Sequence, residues 1–203
     1  MKKTNQEIFW EGNFGDNFHD RIDNEQYFKS NRNLFENILS FCKGVNSILE
    51  LGAGGGNNLK AIHDINKTID LYAIEMSNKA CKLLSELDYV TFLKASILDD
   101  FKVKKADLVF TKTVLIHINP EKIKTVYKKL FELSNKYILI VEYFNPTPVS
   151  VKYRGYENVL FKRDFAKEMI SEYNLKIVNY GFVWSKDKYF PLDDVNWFLF
   201  EKL

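Results

Sequence analysis

The feature that most restricts this chain is a seven-residue run, Glu50-Leu51-Gly52-Ala53-Gly54-Gly55-Gly56. It overlaps the end of Ser47-Ile48-Leu49-Glu50-Leu51, which reads as a short buried strand, and precedes a helical stretch over residues 57–65. Glycine reaches positive φ at little steric cost and lets a ligand approach the main chain. The helix start that follows offers unpaired N–H groups to a polar or anionic ligand. A strand, a glycine turn and a helix in that order place a ligand at the carboxyl end of a strand in an open α/β sheet.

The rest of the chain keeps the alternation. Residues 69–75, 89–93, 106–111 and 137–142 read as further strands, with helices over 77–87 (capped by Ser77) and from Pro120 to residue 134. Strands separated by helices of this kind form parallel βαβ units. Upstream, Leu34, Phe35, Ile38, Leu39 and Cys42 fall at helical spacing, and Gly44 stops that helix. Residues 1–28, polar and aromatic, read as a helical, partly irregular lead-in. Downstream, residues 144–160 carry Pro146 and Pro148 and read as a long loop, followed by a helix over 162–173. Residues 175–184 and 195–203 then read as two strands with no helix between them, so they run antiparallel to each other. The expected fold class is α/β: a Rossmann-like, mostly parallel sheet with a terminal antiparallel strand and helices on both faces. One domain is expected over residues 1–203, with 1–43 as a helical lead-in or lid and 144–162 as a substrate-loop insertion.

Composition removes other classes. Hydrophobic residues make up 46% of 203, which is globular rather than disordered. The 29 basic and 27 acidic residues leave a net charge of +2, with no whole-chain attraction to nucleic acid or an anionic membrane. Cys42 and Cys81 make no disulfide framework, and no Cys/His spacing fits zinc, so no metal is expected. The opening Met1-Lys2-Lys3-Thr4-Asn5-Gln6-Glu7 lacks the apolar stretch of a signal peptide, and no apolar run is long enough to span a bilayer. A cytoplasmic location is the expectation. Aromatic residues, at 15%, suit both a core and an aromatic-lined pocket.

Two cofactor patterns compete at the glycine turn. The dinucleotide fingerprint G-x-G-x-x-G/A fits Gly52 and Gly54, but its last position falls on Asn57. An acid two residues before G-x-G-x-G is matched at all four positions by Glu50, Gly52, Gly54 and Gly56. That pattern resembles motif I of the class I S-adenosylmethionine (SAM) methyltransferases. The terminal antiparallel pair suits their sheet, whereas the dinucleotide-binding fold ends in a parallel strand. The resemblance implies a cofactor site of Glu50, Gly52, Ala53, Gly54, Gly56, Asn57, Glu75, Met76, Ser96, Ile97 and Thr111. Glu75, ending the second strand, would accept the ribose hydroxyls. Ser96 and the Ile97 main chain take the place where the family often has an Asp against the adenine amino group.

Methyl transfer from a sulfonium is an in-line displacement, so positioning supplies most of the catalysis. A hydroxyl acceptor also needs a base. His117, just past the fourth strand, and Glu142 and Tyr143, at the carboxyl end of the fifth, are the catalytic candidates. Asp16 and His19 in the lead-in are candidates to close over an acceptor. Asn145-Pro146-Thr147-Pro148 follows the fifth strand rather than the fourth, the wrong place to grip a flipped base, so no nucleic-acid substrate is expected.

Longer stretches narrow the resemblance. They are Phe9-Trp10-Glu11-Gly12-Asn13-Phe14-Gly15-Asp16, the run from Phe110 to Pro120, the run from Glu142 to Pro148, Tyr153-Arg154-Gly155-Tyr156, the run from Leu160 to Ala166, and Asp193-Asp194-Val195-Asn196-Trp197-Phe198. Together they resemble the pseudaminic acid biosynthesis-associated methylases. The resemblance implies a SAM-dependent enzyme, with S-adenosylhomocysteine as product, that methylates O or N of a nonulosonic acid sugar or its precursor in surface-glycan biosynthesis. Tyr153, Arg154 and Tyr156 are then substrate candidates, since an Arg fork holds a carboxylate or phosphate. Three alternatives stand beside it: a non-catalytic SAM-binding or partner-binding protein, a methyltransferase for an unrelated small metabolite, and an NAD-dependent oxidoreductase.

Overall fold

The computed structural model describes residues 3–12, 14–16 and 24–203. Helix α1 (Asn5–Glu11) opens with a reciprocal cap: the Thr4 hydroxyl accepts from the Glu7 N–H, and the Glu7 carboxylate accepts from the Thr4 N–H. Helix α2 (Glu25–Ser40) starts at the Asn24 side-chain cap, upstream of the helix start expected from apolar spacing. Its first turn carries Tyr27 and Phe28, which pack on the same core as Leu34 and Phe35, but the polar run from Lys29 to Asn33 separates the two pairs.

From there strands and helices alternate: β1 (Ser47–Leu51), α3 (Asn57–Ile65), β2 (Asp70–Glu75), α4 (Asn78–Leu84), β3 (Val90–Lys94), β4 (Ala106–Lys112), α5 (Ile123–Leu133) and β5 (Ser134–Glu142). There follow β6 (Val149–Tyr153), β7 (Tyr156–Lys162), α6 (Phe165–Glu172), β8 (Leu175–Val183) and β9 (Val195–Lys202). The main sheet runs β3-β2-β1-β4-β5-β9-β8. The first five strands pair in parallel, and β9 lies antiparallel to both β5 and β8. The order turns back at β1, which pairs with both β2 and β4, and a cleft opens at that switch point.

Successive strand residues feed opposite faces. On one face Ile48, Leu71, Leu108, Phe110 and Leu139 pack with Leu34, Phe35 and Ile38 of α2 and Leu59 and Ile62 of α3. On the other, Leu49, Ile74, Val109, Ile138 and Ile140 pack with Val126, Tyr127 and Leu130 of α5 and Phe165 and Met169 of α6. Burial of each such aliphatic side chain contributes about 1.5–3 kcal/mol, so the central strands form a rigid frame for the groups at their carboxyl ends. Among the described residues no helix is long and apolar enough to cross a membrane.

The stretch expected as a long loop is instead a hairpin, β6 paired antiparallel with β7. Its turn, Arg154-Gly155, has φ 50° and 91°. Two successive positive φ values give the twist that joins strands tightly.

Candidate active site

The floor of the cleft is the glycine turn. Gly52, Gly54 and Gly56 take φ of 79°, 53° and 80°, a region L side chains rarely adopt. A Cβ on Gly52 would stand 2.8 Å from a Val114 methyl, and one on Gly56 would stand 2.8 Å from a Leu87 methyl. Gly52 and Ala53 donate their N–H groups back to the Ile74 carbonyl, so the turn is bound to β2. Glu75 splints it: one carboxylate oxygen accepts from Gly54 N at 2.7 Å, the other from Met76 N and Ser77 N at 2.7 and 2.8 Å. Burial raises its pKa against the pull of these three amides. A carboxylate has about four acceptor positions, so Glu75 keeps little more than one for a ligand.

Glu50 lies beneath the floor. It is fully buried, one oxygen accepts from Asn58 Nδ2 at 2.6 Å, and desolvation pushes its pKa up to about 8. Its place in the sequence pattern therefore corresponds to a support for the first turn of α3 rather than to a wall of the cleft. Gly56 and Thr111 also stand outside the lining, and Thr111 points to the opposite face of the sheet from Lys112. The other expected cofactor residues, Gly52, Ala53, Gly54, Asn57, Glu75, Met76, Ser96 and Ile97, all line the cleft.

The roof comes from α1 and the hairpin. Ser96 Oγ donates to Glu7 at 2.5 Å, and Gln6 Nε2 donates to the Asn158 carbonyl at 2.8 Å. Between these two ties, Phe9 stacks on Phe14 at 4.2 Å and meets the Tyr156 ring at 4.9 Å, while Trp10 stands 4.5 Å from His117. Tyr153 closes the far side of His117 at 5.3 Å. The space between floor and roof, open solvent at its mouth included, amounts to about 1240 Å³.

His117 ends a 3-10 turn, Leu115–His117, and its Nδ1 is 2.6 Å from the Val159 carbonyl. A carbonyl only accepts, so Nδ1 carries the proton and Nε2 keeps a lone pair. Burial lowers the His117 pKa to about 4, leaving a neutral imidazole. Glu142, expected as a second base, is not brought to the cleft. Its oxygens accept from Val114 N at 3.0 Å, Leu115 N at 2.9 Å and Ile116 N at 3.4 Å, which caps the turn carrying His117. Burial still raises the Glu142 pKa to about 7. Tyr143 does line the cleft; burial and a hydrogen bond to Asp193 hold its hydroxyl protonated.

The substrate candidates divide. Tyr153 lines the cleft. Tyr156 is half exposed and packs on the outer side of the roof. Arg154 sits exposed at the hairpin tip, its guanidinium 5.7 Å over the Tyr153 ring, and is not part of the wall. Asp16 accepts from Ser77 Oγ at 3.4 Å, outside the lining. His19 lies outside the described residues.

Several wall residues escape sequence reasoning. Thr4, Gln6, Glu7 and Trp10 arrive with α1, and Tyr27, Lys112 and Asp193 meet on the α2 side. Lys112 had a readable signal, a lone cation ending the apolar strand Ala106-Asp107-Leu108-Val109-Phe110-Thr111-Lys112.

Residues 49–133 match the family described as a methyltransferase domain. No curated protein sequence matches the chain. Among solved structures, the 1,6-didemethyltoxoflavin-N1-methyltransferase of Burkholderia thailandensis, with its acceptor and S-adenosylhomocysteine bound, superposes with a TM-score of 0.73 at 12% identity, covering 100% of this chain and 92% of that one. The SAM-bound magnesium protoporphyrin IX methyltransferase of Synechocystis PCC 6803 gives 0.70 at 13% identity, covering 100% and 99%. A glycopeptide N-methyltransferase complexed with sinefungin gives 0.64 at 12%, covering 85% and 94%. At such identities the likeness establishes the fold, that of Rossmann-like methyltransferases. The match to a methyltransferase domain covers the glycine turn and β2 to β4, the strands around the cleft.

Proposed function

We propose that this chain transfers a methyl group from SAM to a small-molecule acceptor, and that the acceptor is a nonulosonic acid sugar or its precursor. The observation that carries the first part is the trio of left-handed glycines under a cleft at the sheet's switch point. The positive torsions turn the main chain of Gly52, Ala53, Gly54 and Gly55 along the cleft, where a ligand meets backbone rather than side chains, and Glu75 stands at the next strand end with an acceptor position for a ribose hydroxyl. Ser96, Ile97 and Met76 flank that position.

Bound SAM would supply an electrophilic methyl on a sulfonium. His117, neutral and with Nε2 unprotonated, takes the proton from an acceptor hydroxyl. Glu142 fixes the turn that aims His117. Tyr143 stays protonated and presents a hydroxyl to the wall. Trp10 and Tyr153 flank His117 and exclude water, and their faces suit the apolar side of a sugar ring. In this reading α1 is the lid, and the hairpin supplies the acceptor side of one domain. The nonulosonic assignment rests on the long stretches that resemble the pseudaminic acid-associated methylases, several of which supply wall residues: Trp10, His117, Tyr143, Tyr153 and Asp193.

The test is methyl transfer from SAM labelled in its methyl group to a panel of free and nucleotide-activated nonulosonic acids, neutral sugars and nitrogen heterocycles. Label in the nonulosonic acids is expected. Label confined to the other acceptors would reassign the substrate. Binding of S-adenosylhomocysteine with no transfer to any acceptor would favour a non-catalytic SAM-binding protein.

A further inference from the structure

Lys112 ends β4 with 7% of its surface exposed, yet it lines the cleft. An ammonium has three donors. One goes to the Tyr27 hydroxyl at 3.0 Å, and the Tyr27 ring stands 5.1 Å from the same nitrogen. Among the described residues no carboxylate forms an ion pair with it; Asp193 and Glu50 act on it from further off. Burial works to lower its pKa, and Tyr27, Asp193 and Glu50 together more than reverse this, so the group is charged. A buried cation with donors to spare and no close counter-ion is costly unless a ligand anion completes it.

The mirror image of that deficit lies beside it. Asn58 Oδ1 is a buried acceptor with no hydrogen-bond partner. Asn58 is 9% exposed, lines the cleft and is tied to Glu50 through its amide nitrogen. Lys112, Asn58 and Gly52 of the turn line the same cleft, β4 being paired with β1 up to Glu50 and Phe110. An unsatisfied cation and an unsatisfied acceptor across one glycine turn are the complement of an α-amino acid. From this, and resting on the SAM reading above, we infer that Lys112 binds the α-carboxylate of the cofactor's amino-acid end, with Asn58 taking its ammonium. Arg154, the cation that sequence reasoning favours for a carboxylate, stands outside the cleft, whereas Lys112 stands inside it.

The test compares two ligands that share an adenosine thioether and differ in the amino acid: S-adenosylhomocysteine and 5′-methylthioadenosine, titrated calorimetrically. Lys112→Met keeps the volume and removes the charge; Lys112→Gln also keeps a donor for Tyr27. Both variants are expected to weaken S-adenosylhomocysteine by roughly 10- to 100-fold, the scale of a charge-assisted hydrogen bond, and to leave 5′-methylthioadenosine unchanged. Unchanged S-adenosylhomocysteine affinity, or equal loss of both ligands, would overturn the assignment. A wild-type protein that binds neither ligand would overturn the SAM reading itself, which separates the two failures.

Discussion

The floor of the cleft is main chain, and its roof is side chain. The floor consists of three glycines with left-handed torsions, held between β1 and α3 and splinted by Glu75. The roof consists of Phe9, Trp10 and Phe14 set against Tyr153, Tyr156 and His117, tied at its ends by Glu7 to Ser96 and by Gln6 to Asn158. A torsion that only glycine adopts easily has no substitute, whereas a stack of rings tolerates exchange and re-packing. The floor is thus the part least tolerant of substitution, and the roof is the part that can be re-packed.

The largest effect is expected from breaking the floor. Gly54→Val should lower affinity for S-adenosylhomocysteine by about two orders of magnitude or more, because a β-branched residue at that φ displaces the turn. Circular dichroism should show the fold retained; unchanged affinity in titration would remove the turn from the site. At the meeting point of floor and roof, His117→Gln should reduce kcat by about 10²–10⁴-fold for a hydroxyl acceptor, the usual worth of a positioned base. Its affinity for S-adenosylhomocysteine should stay within about twofold. A variant with full kcat would show that no base is used there.

Beneath the floor, the buried acids give a pH signature. Glu50 and Glu142 titrate near 8 and 7 in the folded chain, above their ordinary 4.5. The folded state therefore holds protons that the unfolded state has released, and stability falls as pH rises through this range, by up to ~1.4 kcal/mol per pH unit for each group. Below about pH 6.5 His117, with its pKa lowered to about 4, works in the opposite sense. Denaturant melts between pH 6.5 and 8 should show declining stability, and Glu50→Gln should flatten the decline. A slope identical to wild type would mean Glu50 is ionised in the folded chain.

Changes in the roof should matter less. Trp10→Ala should raise the acceptor KM several-fold, on the order of the ~1–2 kcal/mol carried by a packed aromatic contact, with little change in cofactor affinity. The smallest effect is expected from Arg154→Ala, at the exposed hairpin tip, with every kinetic constant within about twofold of wild type. A large loss of acceptor use there would show that the tip folds inward during turnover.

Legibility followed the same division. The strand Ser47–Leu51, the glycine turn and α3 from Asn57 are set by neighbours in the chain, so local pattern was enough to place them. The final strand pair was readable because nothing between β8 and β9 looks helical. The hairpin was not: Val149-Ser150-Val151-Lys152-Tyr153 does alternate apolar and polar, but it is only five residues long and follows Pro146 and Pro148, and Arg154-Gly155 does not advertise a turn as Asn-Gly would. Glu142 reads as a candidate base from its place at a strand end. The 3-10 turn that follows β4 has no side-chain cap of its own, and it draws Glu142 from β5 to satisfy its amides. Lys112 was visible as a charge, but its surroundings come from Tyr27 and Asp193, far away in sequence, and only packing brings them together.

Calorimetric titration of the wild-type chain with S-adenosylhomocysteine and, separately, with NAD asks most directly what the glycine turn holds. One molecule of S-adenosylhomocysteine bound per chain, with no heat from NAD, is the expected result. Binding of NAD alone, or of neither compound, would contradict it.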